Sequence, residues 1–262
     1  MTAPPVKQLA LQHNLTVFQP KTLREPEVQQ QISALNPQLI VVVAYGRILP
    51  PEVLAIPEKG CINLHVSLLP KYRGAAPVQW SVINGDEQTG VSIMYLDEGL
   101  DTGDILNVAP VTIGQDETSG ELFERITQQG AKTLVETIRQ IDEGKAVRTP
   151  QDHTKATLAP PLNKEMARFT FEQPAQTLHN LVRGMNPWPI AYFELDGKKI
   201  KVRKTHAVTG SAAPGTVISV NPLTIACREG ALELLEIVPE GSKPMTGAAW
   251  AVGRRLKAGD CL

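Results

Sequence analysis

The sequence is poor in cysteine. Its 262 residues include three cysteines, at positions 61, 227 and 261, and no two of them form a Cys-x-x-Cys pair. An odd number of widely spaced cysteines argues against a disulfide framework and against a zinc site. We therefore expect a protein of a reducing cytosol that uses no metal.

Long hydrophobic runs are also absent. The longest, Leu39 to Tyr45, is far below the roughly 20 residues that span a bilayer. The opening residues, MTAPPVKQLALQHN, contain no apolar signal-peptide core. The sequence thus supports neither secretion nor membrane insertion, and a cytoplasmic location is predicted.

Several common catalytic motifs are missing. The sequence contains no GxGxxG, GxxxxGK[ST], HExxH or GxSxG, and its five histidines are scattered. These absences disfavour dinucleotide binding, P-loop nucleotide hydrolysis and zinc chemistry. The nearest rival is a serine hydrolase that uses Ser67, His65 and Asp101, but Ser67 lacks the glycine-flanked elbow that exposes such a nucleophile.

The first 144 residues alternate helical and strand patterns. The run LIVVVAY (39–45) is typical of a strand buried on both faces, and three further strands are predicted at INLHV, VSIMYL and ILNVAPVTI. A long helix closes the pattern, beginning at a capping box from Thr118 to Glu121 and ending at Gly144. This alternation predicts an α/β domain over residues 1–144 with a doubly wound, mostly parallel sheet.

The remainder of the chain has a different pattern. Residues 145–164 carry three prolines and almost no periodicity, which predicts an exposed linker. Residues 165–262 contain short strand-like runs separated by turn pairs such as Asp196-Gly197, which predicts a small OB-like β-barrel. From Trp188 onward there are ten basic and seven acidic residues, and a cationic surface attracts polyanions such as nucleic acid.

Two polar residues share one face of the second predicted strand. Side chains alternate along Ile62 to Val66, so Asn63 and His65 point away from the apolar side. Buried without partners, each would cost a few kcal/mol, so they either make structural hydrogen bonds or face a ligand. The loop from Ser67 to Gly74 leaves the carboxyl end of this strand, where open α/β sheets bind ligands. We therefore favour a crevice there, bordered by a second, acidic loop from Leu96 to Asp104.

The motifs of this region resemble those of the folate-dependent formyltransferases. The resemblance rests on Asn63-x-His65-x-Ser67-Leu-Leu-Pro70, on Tyr72-Arg73-Gly74-Ala-Ala-Pro77, and on Leu100-Asp101-Thr102-Gly103. Three stretches further along resemble the members that act on methionyl-tRNA: Arg183-x-x-Asn186-Pro187-Trp188-Pro189, the run from Pro239 to Met245, and Gly253-x-x-Leu256. The resemblance covers nearly the whole chain.

The resemblance implies acyl transfer. By it, Asn63, His65 and Asp101 are the catalytic residues, 10-formyltetrahydrofolate is the co-substrate, and the α-amine of methionyl initiator tRNA is the acceptor. Donors aimed at a developing oxyanion are worth about 10² to 10³ in rate each, and the Asn63 amide and a charged His65 imidazole are suited to that role. Asp101 would favour the charged imidazole or take a proton from the amine through water.

The resemblance also implies residues that bind the folate, the basic tail predicts contacts to tRNA, and we expect a monomer. Residues expected to line the folate site are Tyr45, Gly46, Ile48, Leu49, Ser67, Leu68, Leu69, Pro70 and Leu96. Residues expected to contact tRNA are Arg73, Lys198, Lys199, Lys201, Arg203, Lys204, Arg254 and Arg255.

The sequence departs from the family pattern in three places. Val66 replaces a small residue, and Pro160-Pro161 with Phe169-Thr170-Phe171 replaces more polar patterns. The match also begins partway through the usual first domain, so the run Leu39 to Tyr45 would lack a neighbouring strand. We therefore expect a truncated form of the functional enzyme, or one whose start codon is placed too late, and low stability for the isolated chain.

Two alternatives remain open from the sequence. One keeps the chemistry but changes the acceptor to a ribonucleotide amine, a nucleotide-sugar amine or water. The other is an inactive nucleic-acid-binding module in which the crevice is vestigial.

Overall fold

A computed structural model describes residues 3–262. The amino-terminal part contains five helices and five strands in these residues: α1 (Pro5–Gln12), α2 (Pro26–Ala34), β1 (Ile40–Val43), α3 (Pro51–Leu54), β2 (Cys61–His65), β3 (Arg73–Gly74), α4 (Pro77–Ile83), β4 (Gln88–Tyr95), β5 (Ile105–Thr112) and α5 (Ser119–Asp142). The predicted α/β organisation is confirmed.

The main sheet of this part has the strand order β1-β2-β4-β5. β1 and β2 are parallel, whereas β2 pairs with β4, and β4 with β5, in the antiparallel sense. The sheet described by the structure is therefore mixed rather than mostly parallel. A physical reason is the connection between β4 and β5, residues 96–104, which is too short for the crossover that a parallel pair needs.

Helix α5 covers one face of this sheet. It begins at the predicted capping box, in which the Thr118 hydroxyl accepts from the Glu121 N–H and the Glu121 carboxylate accepts from the Thr118 N–H. Leu122 and Ile126 are fully buried in a core that includes Ile62. The predicted helix and its capping are confirmed.

Strand β1 differs from the prediction of a strand buried on both faces. Val41 is 40% exposed and Val43 is 54% exposed. β1 lies at the edge of the sheet, and the long helix α5 packs on β4 and β5 instead. An apolar run predicts a strand, but its burial depends on which element covers it.

The carboxyl-terminal part is built around antiparallel strands. After the short strand β6 (Leu158–Ala159) of the connecting segment, its elements are α6 (Ala175–Gly184), β7 (Tyr192–Leu195), β8 (Lys198–Val208), β9 (Val217–Val220), β10 (Leu223–Ala226), β11 (Ala231–Pro239), β12 (Met245–Thr246) and α7 (Gly247–Arg254). The sheet order is β7-β8-β11-β10-β9, with β12 beside β11. The predicted β-rich domain is confirmed, while no β7–β9 pairing closes a barrel in the described residues.

Aromatic side chains form the centre of that second core. The rings of Phe169, Phe171, Phe193 and Trp250 pack in edge or tilted contacts with centroids 5.3 to 6.2 Å apart. The two phenylalanines that depart from the family pattern are therefore core residues here.

The segment from 145 to 164 is more ordered than an exposed linker. Thr149 and Ile105 exchange two backbone hydrogen bonds of 2.8 and 2.9 Å, β6 pairs in parallel with β3, and Gln151 is buried. A segment without hydrophobic periodicity can still form single backbone pairs with neighbouring strands and loops. Such isolated pairs leave no pattern in the sequence. This segment returns to the first domain.

No helix among residues 3–262 is both long and apolar enough to cross a membrane.

Candidate active site

Strand β2 places Asn63 and His65 on the sheet face away from α5. Leu64, on the other face, lies beside Gly130 of α5. Across the antiparallel pair, Asn63 lies opposite Met94 and His65 opposite Ser92. The strand alternation predicted from the sequence is therefore confirmed by the register.

The His65 ring lies between two oxygen atoms. Its Nε2 is 2.9 Å from the Tyr72 carbonyl oxygen, and its Nδ1 is 3.6 Å from Oδ2 of Asp101. A carbonyl oxygen can only accept, so Nε2 carries the proton. The Asp101 carboxylate faces the other ring nitrogen, Nδ1. His65 is 6% exposed, so solvent screens these contacts little.

Asp101 is held by the backbone of β3. The N–H of Gly74 donates to Oδ2 of Asp101 at 2.8 Å. Asp101 has a φ of +53°, and Tyr72, whose carbonyl bonds His65, has a φ of +61°. Non-glycine residues in this left-handed region cost about 1–3 kcal/mol each and persist where the surroundings over-determine them. Both strained residues contact His65, as expected of a site whose geometry matters for its chemistry.

The Asn63 amide is available to a ligand. It is half-buried, and within residues 3–262 its side chain makes no hydrogen bond. On the same face lies a small apolar cluster of Leu49, Val53 and Cys61, with Leu96 packed against it. Burial raises the pKa of the Cys61 thiol to about 11, so Cys61 stays neutral and contributes to the apolar wall. An unpaired amide beside an apolar wall is typical of a small-molecule site.

The structure brings only part of the predicted folate set together. Leu49 and Leu96 join that apolar wall, whereas Tyr45, Gly46 and Ile48 are exposed in the adjoining loop. Leu68 and Pro70 line a separate cavity of about 620 Å³ that also includes Tyr72.

Ser67 and Leu69 have structural roles in the neighbouring loop. The buried Ser67 hydroxyl donates to the Lys71 carbonyl at 2.7 Å, and the Leu69 N–H donates to the Ser92 hydroxyl at 3.1 Å. His65 is bonded to Tyr72 rather than to Ser67. A Ser67-His65-Asp101 hydrolase therefore has no nucleophile–base hydrogen bond in this structure.

Most of the predicted tRNA-contacting residues are on the surface of the second domain. Lys199, Lys201 and Arg203 alternate with the buried Ile200 and Val202 of β8. Lys198, Lys204, Arg254 and Arg255 are exposed. Arg203 is paired with Glu236 at 2.8 Å, and Arg254 with Asp196.

Arg73 is different, because it is an interior residue. It is 7% exposed. Its guanidinium donates to Oε1 of Gln151 from Nη2 at 2.6 Å and from Nε at 3.2 Å, and lies 3.1 Å from Nδ1 of His153. This environment does not fit the predicted phosphate contact. The partner Gln151 was missed by the sequence reasoning, since it lies in a segment without periodicity.

A cleft of about 1070 Å³ separates the two domains on another side. Arg203 and Lys204 line it together with Asp116 and Glu117 from the loop before α5 and His179 from α6. Its charges are of both signs.

Comparison with known proteins defines the class. The family model for formyl transferase matches residues 1–138, and the model for the formyl transferase carboxyl-terminal domain matches residues 161–255. The chain therefore belongs to the formyl transferase family.

Three curated relatives within that family carry the name methionyl-tRNA formyltransferase. The relative from Caldanaerobacter subterraneus subsp. tengcongensis is 44% identical, over 98% of this chain and 85% of its own length. The relatives from Clostridioides difficile and Geobacter metallireducens are each 44% identical, over 97% and 99% of this chain and 84% of their own lengths.

Two solved structures show the same fold at lower identity. HypX from Aquifex aeolicus, in complex with tetrahydrofolic acid, has a TM-score of 0.64 and 20% identity over 87% of this chain and 41% of its own. The N-formyltransferase from Helicobacter canadensis, with folinic acid and dTDP-3-aminofucose, has a TM-score of 0.69 and 17% identity over 91% of this chain and 82% of its own.

Proposed function

We propose that this chain transfers the formyl group of 10-formyltetrahydrofolate to the α-amine of methionyl initiator tRNA, in translation initiation. The observation that carries the proposal is the arrangement of Asn63, His65 and Asp101, in which an unpaired amide adjoins an imidazole held between a carbonyl and a carboxylate. The identity of 44% to methionyl-tRNA formyltransferases over nearly the whole chain supports the choice of acceptor.

The three side chains have complementary roles in acyl transfer. The folate co-substrate would supply the formyl group. As the bond from the formyl carbon to the methionyl nitrogen forms, the bond from that carbon to N10 of the folate breaks, and the proton lost by the amine ends on N10. Negative charge develops on the formyl oxygen during transfer, and the Asn63 amide donates a hydrogen bond to it without titrating. The His65 ring, whose Nε2 donates to the Tyr72 carbonyl, lies beside the same place. The Asp101 carboxylate, at 3.6 Å from Nδ1, accepts a proton from the amine through water.

The apolar wall fits the ring system of a folate. Leu49 and Leu96 lie on the Asn63 side of the sheet, and the exposed loop with Tyr45, Gly46 and Ile48 borders them. Backbone groups of that loop and of the loop from Leu96 to Asp101 supply donors and acceptors for the polar edge of a pterin. We place the folate there and assign Ser67 and Leu69 to support of the site.

The basic surface of the second domain serves the tRNA. Lys199, Lys201 and Arg203 project from one side of β8, and their spacing of two residues lets them follow a phosphate backbone. The contact set comprises Lys198, Lys199, Lys201, Arg203, Lys204, Arg254 and Arg255. The buried Arg73 is not retained in it. We further propose a cytoplasmic monomer that does not bind membranes.

A direct assay tests the function. Purified chain 1–262 is mixed with methionyl initiator tRNA and 10-formyltetrahydrofolate, and formyl-methionyl-tRNA is separated from its precursor. We expect formylation that depends on both substrates and is lost in Asp101→Asn. Formylation of a nucleotide amino sugar, or release of formate without an acceptor, in the absence of tRNA formylation would contradict the proposal.

A further inference from the structure

We propose that Gln151 is a positioning residue for Asp101, so that the segment between the two domains completes the active site. This inference rests on the proposed function, because Asp101 is the group through which Gln151 acts. Gln151 is outside the sheet and is separated from Asp101 by 50 residues in sequence.

Gln151 bonds two carbonyls of the Asp101 loop. Its Nε2 donates to the carbonyl of Asp101 at 2.9 Å and to that of Gly103 at 2.7 Å. No backbone N–H in the described part of the chain bonds either carbonyl. The amide of one buried side chain, 7% exposed, therefore satisfies both. Without it, two carbonyls in a loop with a left-handed Asp101 would lose their partners.

The orientation of the Gln151 amide is fixed by Arg73. A guanidinium has donors only, so the atom that faces Arg73 must be Oε1, and Nε2 must face the loop. Arg73 contributes two hydrogen bonds to Oε1, of 2.6 and 3.2 Å. Because both side chains are buried, neither bond is exchanged easily for water.

Arg73 and Gly74 together hold the side chain and the backbone of Asp101. The N–H of Gly74, the residue after Arg73, donates to the Asp101 carboxylate at 2.8 Å. The backbone carbonyl of Asp101 is held by Gln151, which Arg73 orients. The side chain and the main chain of Asp101 are thus tethered to the same short strand, β3.

This tether matters because His65 does not hold Asp101 itself. The distance of 3.6 Å between His65 Nδ1 and Asp101 Oδ2 is longer than a hydrogen bond. The position of the carboxylate is consequently set by the Gly74 N–H and by the loop that carries Asp101. A misplacement of about 1 Å at a reacting group can reduce the rate by about 10²-fold.

The test uses Gln151→Glu and Gln151→Met. Glutamate keeps the length and pairs with Arg73, but it presents oxygen atoms to the two loop carbonyls. Gln151→Met keeps the length of the side chain but forms no hydrogen bonds, and it is the variant to measure if Gln151→Glu does not fold. We expect kcat to fall about 10- to 100-fold, with KM for the folate and for methionyl-tRNA changed less than about twofold. Gln173→Glu, an exposed glutamine in the other domain, is the matched control and should retain the wild-type kcat.

A double variant that combines Gln151→Glu with Asp101→Asn distinguishes positioning of Asp101 from a general structural role of Gln151. If Gln151 acts through Asp101, the double variant Gln151→Glu/Asp101→Asn should be as slow as Asp101→Asn alone. Multiplied losses in the double variant, a raised KM with unchanged kcat, or wild-type kcat in both Gln151 variants would overturn the inference while leaving the proposed function intact. A wild-type rate in Asp101→Asn would instead overturn both.

Discussion

Gly184 of α6 packs directly against Ile83 of α4, where the two domains meet. A β carbon on Gly184 would overlap the Ile83 side chain and would lie 3.0 Å from the Ile83 backbone nitrogen and 3.3 Å from the Gln79 carbonyl oxygen. Backbone atoms cannot move aside as a flexible side chain can, so any larger residue at 184 must push the helices apart.

We therefore expect Gly184→Ala to destabilise the protein by about 1–3 kcal/mol, as overpacking does in other cores. Gly253→Ala in α7 is the matched control, because a β carbon there has nothing within 4 Å. Chemical denaturation followed by circular dichroism measures both. Equal stabilities for the two variants would show that the helix contact is not tight.

The sequence predicts which helices and strands form, but not which of them pack against one another. The alternation along β2 and the capping box at Thr118 are local patterns, and both are confirmed. The exposure of Val41 and Val43 could not be read locally, because it depends on where α5 packs.

In the candidate site, too, the local pattern was predictable and the long-range contacts were not. The motif with Asn63 and His65 predicted the correct sheet face, but the burial of Arg73 depends on Gln151, 78 residues away. A single glutamine in a proline-rich segment has no pattern that distinguishes it from a solvated residue. Long-range polar pairs are therefore the part of the site that sequence periodicity does not predict.

Removal of the Asn63 amide should affect turnover more than binding. We expect Asn63→Ala to lower kcat by about 10² to 10³, because the amide donates to charge that develops only in transfer. Asn107→Ala is the control: Asn107 is half-buried in the same sheet and bonds Thr137 of α5 on the other side. Single-turnover formylation with saturating folate measures both variants. A rate for Asn63→Ala similar to that for Asn107→Ala would remove Asn63 from the catalytic set.

Neutralisation of the β8 lysines should change the salt dependence of tRNA binding. Each phosphate contact that is lost reduces the slope of log affinity against log salt by roughly 0.7 to 0.9. We expect Lys199→Gln/Lys201→Gln to bind tRNA more weakly and with a shallower slope than wild type. Lys132→Gln/Lys145→Gln, on exposed lysines of α5 and of the segment that follows it, should leave the slope unchanged. Identical slopes for the two double variants would assign the β8 lysines to ordinary solvated surface.

The capping box of α5 offers a stability test remote from the site. Thr118→Ala removes the hydroxyl that accepts from the Glu121 N–H, and we expect a loss of about 1 kcal/mol. Thr118→Ser retains an acceptor and should stay within a few tenths of a kcal/mol of wild type. Thermal unfolding of the two variants measures the difference. An alanine variant as stable as the serine variant would show that the cap contributes little.

His179 should make the contact between the domains sensitive to acid. The side chain is buried on α6; its ring is 3.0 Å from the Thr205 hydroxyl and 3.2 Å from the Gln115 carbonyl. Burial lowers the pKa of His179 below its usual 6.5, and the charge of Arg183 lowers it further, against the opposing effects of the Gln115 hydrogen bond and of Asp116.

A histidine with a lowered folded-state pKa binds protons more weakly in the folded chain than in the unfolded chain. Protonation of His179 therefore has no effect on stability well above pH 6.5. The free energy of unfolding decreases as the pH falls through 6.5 toward the lower folded-state pKa. We expect the free energy of unfolding to fall less between pH 7.5 and pH 5.5, two assay conditions chosen to bracket about 6.5, in His179→Gln than in wild type. His13→Gln, an exposed histidine of the first domain, should follow the wild-type curve. If urea denaturation at the two pH values gave the same loss for all three proteins, the acid sensitivity would have to originate at groups other than His179.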